Sequence, residues 1–454
     1  MIALLMLLFV AGPGRTETLF AIYRQALATN PTLAAARSDL ASQQAARGEA
    51  RAGLLPNLRA AGAVNYNDTT IEGFGKDFAG GAVPPELFAG DIDETYYGGS
   101  YSIRLVQPLV NAQAWSAVDA ADARITAEEA AVAAAGQDLI LKVVEAYFNL
   151  LSAQADEQVV QARRKRLAET LDRAEADLKV GTGDIIAVHE ARADVDAVEA
   201  SLIQTKSGVR VARSRLERLA HRPVGSIADL RQLRPRGPEP DTVGPWIESA
   251  MDHQPLLEQA RHRLSAAREQ IRFARRARWP GLDANAEYGY DKGTLLPSAE
   301  RRQARVGLQL TLPLVEGGAI QARVRRAKAE AQALEHRLQE LADRITLDTE
   351  SAFLLLQNSV AGLAAASQAR ASAQLSLEAT RKGLGLGTRT IIDLLAAIQA
   401  LENAERAYHE ARYDHVTLRV RLKTAAGVIS SADVAAINSL LNPNERPPQT
   451  DGFK

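Results

Sequence analysis

The chain repeats itself, and this constrains the fold more than any other feature. Ala26, Asn30-Pro31, Arg37, Leu40, Ala50-Arg51, Pro56, Leu58 and Tyr66 recur 224 positions later as Ala250, Gln254-Pro255, Arg261, Leu264, Ala274-Arg275, Pro280, Leu282 and Tyr290. Past that point the offset falls to 205. Ile103, Leu105, Pro108-Leu109-Val110, Ile140, Glu145, Phe148 and Leu150 then pair with Leu308, Leu310, Pro313-Leu314-Val315, Ile345, Glu350, Phe353 and Leu355. The first half therefore carries 19 extra residues between Tyr66 and Tyr101. Farther on the offset is 206, matching Gly181-Thr182 with Gly387-Thr388 and Ile185-Ile186 with Ile391-Ile392. A frame duplicated in this way must form the same elements twice and bury like surfaces against each other. The repeats are expected over residues 17–243 and 244–443.

Each half reads helix, strand, loop, strand, long helix, turn, long helix. Leu282, Ala284, Ala286, Tyr288 and Tyr290 alternate with Asp283, Asn285, Glu287, Gly289 and Asp291. Ala304, Val306, Leu308, Leu310 and Leu312 alternate with Gln303, Arg305, Gly307, Gln309 and Thr311. Period two with one apolar face fits strands long enough to cross an outer membrane. Strands 58–66 and 97–105 repeat the pattern in the first half. Six of the ten tyrosines (Tyr66, Tyr96, Tyr97, Tyr101, Tyr288, Tyr290) sit in or beside these strands, as an interfacial girdle places them. The Gly- and Asp-rich insertion 67–99 reads as a long extracellular loop. Residues 112–179 contain no Pro and one Gly (Gly136), and 319–382 repeat this with Gly362. Such helices reach about 100 Å. A stripe of Ile140, Val143, Tyr147, Leu150, Ile345, Ala352 and Leu355 is expected to face neighbouring helices.

Composition excludes several classes. Lys and Arg total 54 against 55 Asp and Glu, a net charge of -1, which offers no footprint for nucleic acid. With no cysteine there is no disulfide, thiolate metal site, Cys nucleophile or lipidated Cys. The seven histidines form no ligand spacing, and no Ser-His-Asp or paired-carboxylate arrangement emerges. No metal, no cofactor and no enzymatic activity are expected. The apolar run Ile2 to Ala11, closed by Gly12-Pro13-Gly14, reads as a signal peptide over 1–16 and is too short to span a bilayer. An exported chain of this kind inserts only as a β-barrel. Four strands leave open edges, so several copies must pool them; two give eight strands with a filled interior, three give twelve with an open bore.

These features resemble the TolC family of outer-membrane efflux and type I secretion channels over nearly the whole chain. The resemblance rests on Gln107-Pro108-Leu109, on Leu312-Pro313-Leu314 followed by Glu316-Gly317-Gly318, and on Gln137-Asp138-Leu139-Ile140 running to Glu145-Ala146-Tyr147-Phe148. It rests also on the turns Val180-Gly181-Thr182 and Leu386-Gly387-Thr388-Arg389-Thr390-Ile391-Ile392-Asp393. It implies a homotrimer with a twelve-stranded barrel in outer-membrane lipid and an α-helical tunnel across the periplasm. The implied function is a passive exit duct, gated at its helix tips. It would dock on a periplasmic adaptor (a membrane fusion protein) served by an inner-membrane ABC or RND transporter. Without a lipidated Cys, the chain is more similar to the type I secretion branch. The alternative is a periplasmic, adaptor-like coiled-coil protein without a barrel, but two equal halves with alternating strands disfavour it.

The resemblance also implies that ionic links between tip helices hold the entrance shut, with acidic rings constricting it. Arg389 and Asp393 match such positions. Ala396 stands where the family often has a second Asp, Leu384 where it often has Tyr, and Ala187 at the usual acidic site of the first tip. Asp184, three residues earlier, is a substitute partner for Arg389, and one acidic ring is expected. Thr390-x-x-Asp393 equally reads as a capping box and Asp184 as an N-cap. Gly181 and Gly387 are needed for reversal at positive φ. The tips Val180, Gly181, Thr182, Leu386, Gly387 and Thr388 are the expected adaptor-docking residues. Arg163, Arg164, Lys165 and Arg166 read as a solvated helix face, residues 222–244 and 428–443 as a belt around the tunnel, and 444–454 as a disordered tail.

Overall fold

The computed structural model describes residues 16–74, 90–231, 233–292 and 300–442. The signal-peptide reading (all but Thr16), the centre of the 67–99 insertion and the 444–454 tail lie outside the described residues. The first half forms α1 (Leu19–Thr29), α2 (Pro31–Ala52), β1 (Asn57–Phe74), β2 (Gly90–Val110), α3 (Ala112–Lys179), α4 (Ile185–Ala220) and the short β3 (Asp229–Leu230). The second forms α5 (Val243–His253), α6 (Pro255–Arg276), β4 (Gly281–Lys292), β5 (Glu300–Thr311), α7 (Ala319–Gly385), α8 (Ile391–Ala425), α9 (Ser431–Ser439) and β6 (Leu441–Asn442). Helices of 11, 22, 68 and 36 residues are answered by helices of 11, 22, 67 and 35.

Two helices, not one, precede each strand pair. The cause is local: Pro31 and Pro255 force the residue before them out of the helical region. Asn30 and Gln254 are extended at ψ 120° and 114°, and each caps the preceding helix by donating its N–H to Ala26 or Ala250.

The chain forms two compact units, each drawing on both halves. One comprises Ala41–Ala127 and Arg261–His336. Its sheet runs β1-β2-β4-β5, antiparallel throughout, so β1 and β5 are its edges. Much of the 67–99 insertion is strand rather than loop. β1 and β2 stay in register from Asn67↔Tyr96 to Ile71↔Ile92. Backbone pairing sustains the ladder there, although Gly, Asp and Thr blur the alternation that marks it in sequence. One face of the sheet exposes Leu58, Val64, Tyr66, Tyr101, Ile103, Val306, Leu308 and Leu310. Tyr66 meets Tyr97 and Tyr101 meets Tyr290, each with ring centroids 5.3 Å apart. A contiguous apolar face of this kind marks a surface meant for lipid or another protein. In the same unit Arg276 donates to Ser116 Oγ at 2.7 Å, joining α6 to the start of α3.

The other unit comprises Met1–Leu40, Glu128–Ala260 and Arg337–Lys454. Its main core gathers Val143, Tyr147, Phe148 and Leu150 of α3 with Ile22 of α1, Leu216 of α4, Val420 of α8 and Val434 of α9. Each fully buried Leu, Ile or Phe contributes about 1.5–3 kcal/mol. Tyr147 is buried with its hydroxyl satisfied, donating to Ala228 O at 2.7 Å. That bond anchors the segment leading into β3, which pairs with β6. Residues 222–244 and 428–443 thus meet through a two-stranded ladder. The stripe residue Leu355 is exposed, and Leu356 is buried in its place, because Phe353 and Leu356 share the inward face at i, i+3. Among the described residues no helix is long and apolar enough to cross a membrane.

Candidate functional site

The two interhelical turns share one backbone design. In the first, the Thr182 and Gly183 N–H groups donate to Asp177 O at 3.0 and 2.9 Å, and Thr182 Oγ1 donates to the same carbonyl at 3.2 Å. In the second, the Thr388 N–H and Oγ1 donate to Gly383 O at 2.9 and 3.1 Å. Gly181 and Gly387 supply the left-handed residue at φ 81° and 71°. This is the Schellman type of helix ending, in which late N–H groups satisfy carbonyls the helix leaves unpaired. The recurring threonine secures the same carbonyl a second time.

Side chains then make the tips unlike. A Cβ on Gly383 would lie 2.7 Å from Arg389 Cγ, so the glycine makes room for the arginine. The first tip inverts the arrangement, with Asp177 in the place of Gly383 and Gly183 in that of Arg389. A Cβ on Gly183 would stand 2.6 Å from the Leu178 backbone nitrogen. In the second tip the glycine yields space to the arginine side chain, whereas in the first Gly183 lies against the backbone itself. Sequence reading left out Asp177 and Gly183; the six-residue spacing to the crossing partner was the available signal.

Arg389 and Asp393 come together, with Nη1 and Oδ1 3.9 Å apart. Asp393 is also fully employed as a cap. Its Oδ2 accepts from the Thr390 N–H at 2.9 Å and from Thr390 Oγ1 at 3.0 Å, while its own N–H donates to Thr390 Oγ1 at 3.1 Å. Those two bonds from Thr390, with the Arg389 charge adding less, hold its carboxyl below the usual value. Asp184 is the N-cap of α4 and accepts from the Ile186 N–H at 3.0 Å. Both capping readings thus describe real contacts. Arg389 meets Asp393 of its own segment, and Asp184 is turned to its own helix. Val180 and Leu386 are 73% and 80% exposed.

Behind the tips, Val160 and Leu167 of α3, Val198 of α4, Leu377 of α7 and Leu394, Leu395 and Ile398 of α8 form a core, with Leu384 packed against it. Beside it lies a polar network that corrects the solvated-face reading of residues 163–166. Arg163 is only 12% exposed and binds Glu402, itself 4% exposed, at 2.6 Å. Arg406 also reaches Glu402 at 2.9 Å, and Arg163 approaches Asp194 at 3.6 Å. Arg166 approaches Glu405 at 3.6 Å. Only Arg164 of these arginines is mostly exposed, pairing with Glu199. A run of charges on a helix four-packed against others must turn part of itself inward, and it does so only with partners.

A lipid-type sheet, long paired helices and small capped tips define an outer-membrane channel protein rather than an enzyme. The chain belongs to the family described as Outer membrane efflux protein, which matches residues 22–220 and 246–428. It is 28% identical to the outer membrane protein TolC of Escherichia coli (strain K12), over 96% of this chain and 89% of that protein. It is likewise 28% identical to the alkaline protease secretion protein AprF of Pseudomonas aeruginosa, over 94% of this chain and 87% of that protein. In fold it is similar to the outer membrane protein VceC of Vibrio cholerae, with a TM-score of 0.76 at 21% identity, covering 90% of this chain and 96% of that one. The chain is an exit duct of a tripartite efflux or secretion system, residing in the outer membrane and extending into the periplasm. Channels of this family work as trimers.

Proposed function

We propose that three copies join their four-stranded sheets edge to edge, β5 of one against β1 of the next, and that the helices continue this pore as a periplasmic duct closed at the tips. The observation that carries the reading is the open sheet with an apolar face and two edges. Lipid does not tolerate such edges, and sharing them among copies removes them. The duct performs no hydrolysis; a partner transporter in the inner membrane, of the ABC or RND type, supplies energy and chooses cargo.

At the tips, the exposed Val180 and Leu386, with Gly181, Thr182, Gly387 and Thr388, form small apolar ends that a periplasmic adaptor's helical hairpins would cover. Arg389, Asp393 and Asp184 line the closed entrance. Each acid anchors the start of a helix, so swinging that helix aside opens the duct without dismantling the cap. Similarity to a protease secretion protein favours a polypeptide as the cargo. Extraction from outer membranes as a heat-labile trimer giving stepwise conductance in planar bilayers tests the duct. A monomeric, non-conducting protein would refute it.

A further inference from the structure

We propose that the barrel carries an anion-selective basic girdle, formed by a single cross-strand row of charged residues, Arg59, Arg104, Glu287 and Arg305. This deepens the duct reading and rests on it. The register places the four side by side, one from each strand: Arg59 faces Arg104, Arg104 faces Glu287, and Glu287 faces Arg305. Strand alternation puts them on the side opposite Leu58, Ile103, Tyr288 and Val306, the apolar face. The same polar side is concave, lined near this level by Ala61, Ser102, Glu287, Gln303 and Arg305. The concave polar side of a barrel sheet faces the bore.

Within the row, one acid serves three bases. Glu287 is bound by Arg104 at 3.0 Å. Arg59 donates to the neutral Asn57 side chain at 2.8 Å, and the Gln303 carboxamide, with its oxygen turned toward Arg305, accepts from that guanidinium. The row therefore keeps a surplus of two positive charges per copy. Opposing Arg59 directly to Arg104 destabilises a sheet, since like charges across a strand pair repel. A rule broken at one level of an otherwise regular ladder marks a place selected for something other than stability. Neighbouring levels lack this surplus: Arg301 is matched by Asp291 at 3.0 Å, and the level between holds Ala61, Ser102, Gly289 and Gln303.

In the proposed trimer nine arginines face three glutamates within one band of the bore, each copy's row running obliquely because barrel strands tilt. Low-dielectric walls focus such a field, so it attracts anions and repels cations more strongly than the same charges on an open surface. The ligand class is small or polymeric anions, carboxylates and phosphates included, which would pass or linger at this level.

The test uses the full-length trimer in planar bilayers under a KCl gradient, with inorganic tripolyphosphate added from the barrel side. The wild type is expected to favour chloride at this level and to be blocked by tripolyphosphate. Arg59→Ser combined with Arg305→Ser should cut the block severalfold and shift the reversal potential toward potassium selectivity. Arg59→Lys with Arg305→Lys should retain both properties, and Glu287→Gln should strengthen them. Equal block and equal reversal potential in wild type, the double Ser variant and Glu287→Gln would overturn the girdle while leaving the duct intact. A wild type without stepwise conductance would overturn both.

Discussion

Gly383 and Arg389 occupy one space: a methyl group on the glycine would sit 2.7 Å from the arginine Cγ and 3.2 Å from Thr388 Oγ1. The guanidinium reaches toward Asp393 because nothing projects from position 383. Gly383→Ala should displace Arg389, weaken its link to Asp393 and raise the frequency of open events in single-channel recordings. Combined with Arg389→Ala it should add little, because both changes remove the same contact. Fully additive effects would show that Gly383 acts elsewhere.

Asp393 should hold its cap across the ordinary pH range. Its carboxyl is held below the usual 3.8, so its contribution is complete above that value and is lost only as the pH falls through the lower folded-state value. Asp393→Ala should raise conductance or shift the reversal potential further toward anions near neutral pH, and wild type should acquire the same behaviour only in strong acid. A variant indistinguishable from wild type in recordings at both pH values would confine Asp393 to a structural role.

The Arg163–Glu402 pair should respond unequally to its two kinds of disruption. Glu402→Ala leaves the nearly buried Arg163 with only its longer link to Asp194 and should lower stability by about 3–5 kcal/mol. Replacing both partners by apolar residues, Arg163→Met with Glu402→Leu, should recover much of this, although Arg406 and Asp194 then lose a contact. Urea unfolding of the detergent-solubilised protein measures both. Equal losses would argue that the charges themselves, rather than their balance, hold these helices.

His415 should make the contact between α8 and the segment around Arg236 sensitive to mild acid. Its ring is held between Ser359 Oγ, 2.7 Å from Nδ1, and the Arg236 N–H, which donates to Nε2 at 3.4 Å. Burial first, and then Arg419, push its pKa below the ordinary 6.5. A depressed histidine stabilises above its unfolded value and loses that contribution as the pH falls through the folded one. Limited proteolysis of the 231–237 segment should accelerate below about pH 6.5 in wild type. His415→Gln should flatten that dependence.

Val180→Asp with Leu386→Asp should abolish adaptor capture while leaving trimer formation and conductance intact. Both side chains project into solvent, so folding loses little. Loss of the trimer would instead place these residues within the assembly.

The frame was legible because repetition and period are properties of sequence. The three offsets located the strands and tips, and alternation separated the apolar from the polar face of β4 and β5. Glycine at positive φ was legible for the same reason, since few residues can replace it. What escaped depends on what lies opposite. Arg163 looks solvated until Glu402 arrives from a helix 239 residues away. Leu356 takes the buried place expected of Leu355 because it shares a face with Phe353, which a single helix read alone does not reveal. The far ends of β1 and β2 hold their ladder where Asp, Thr and Gly break the apolar alternation that marks the rest of the strands. Asp184 and Asp393 were read with their caps, but pairing across copies is not written in either neighbourhood.

The near-identical turns with interchanged bulky and small positions carry a consequence for stoichiometry. In the proposed trimer, three chains would bring six hairpin ends of one backbone design to the entrance. Their side chains differ: Asp177 and Gly183 stand at one end where Gly383 and Arg389 stand at the other. A substitution in one turn would then fall on three of those six ends and leave the other three unchanged.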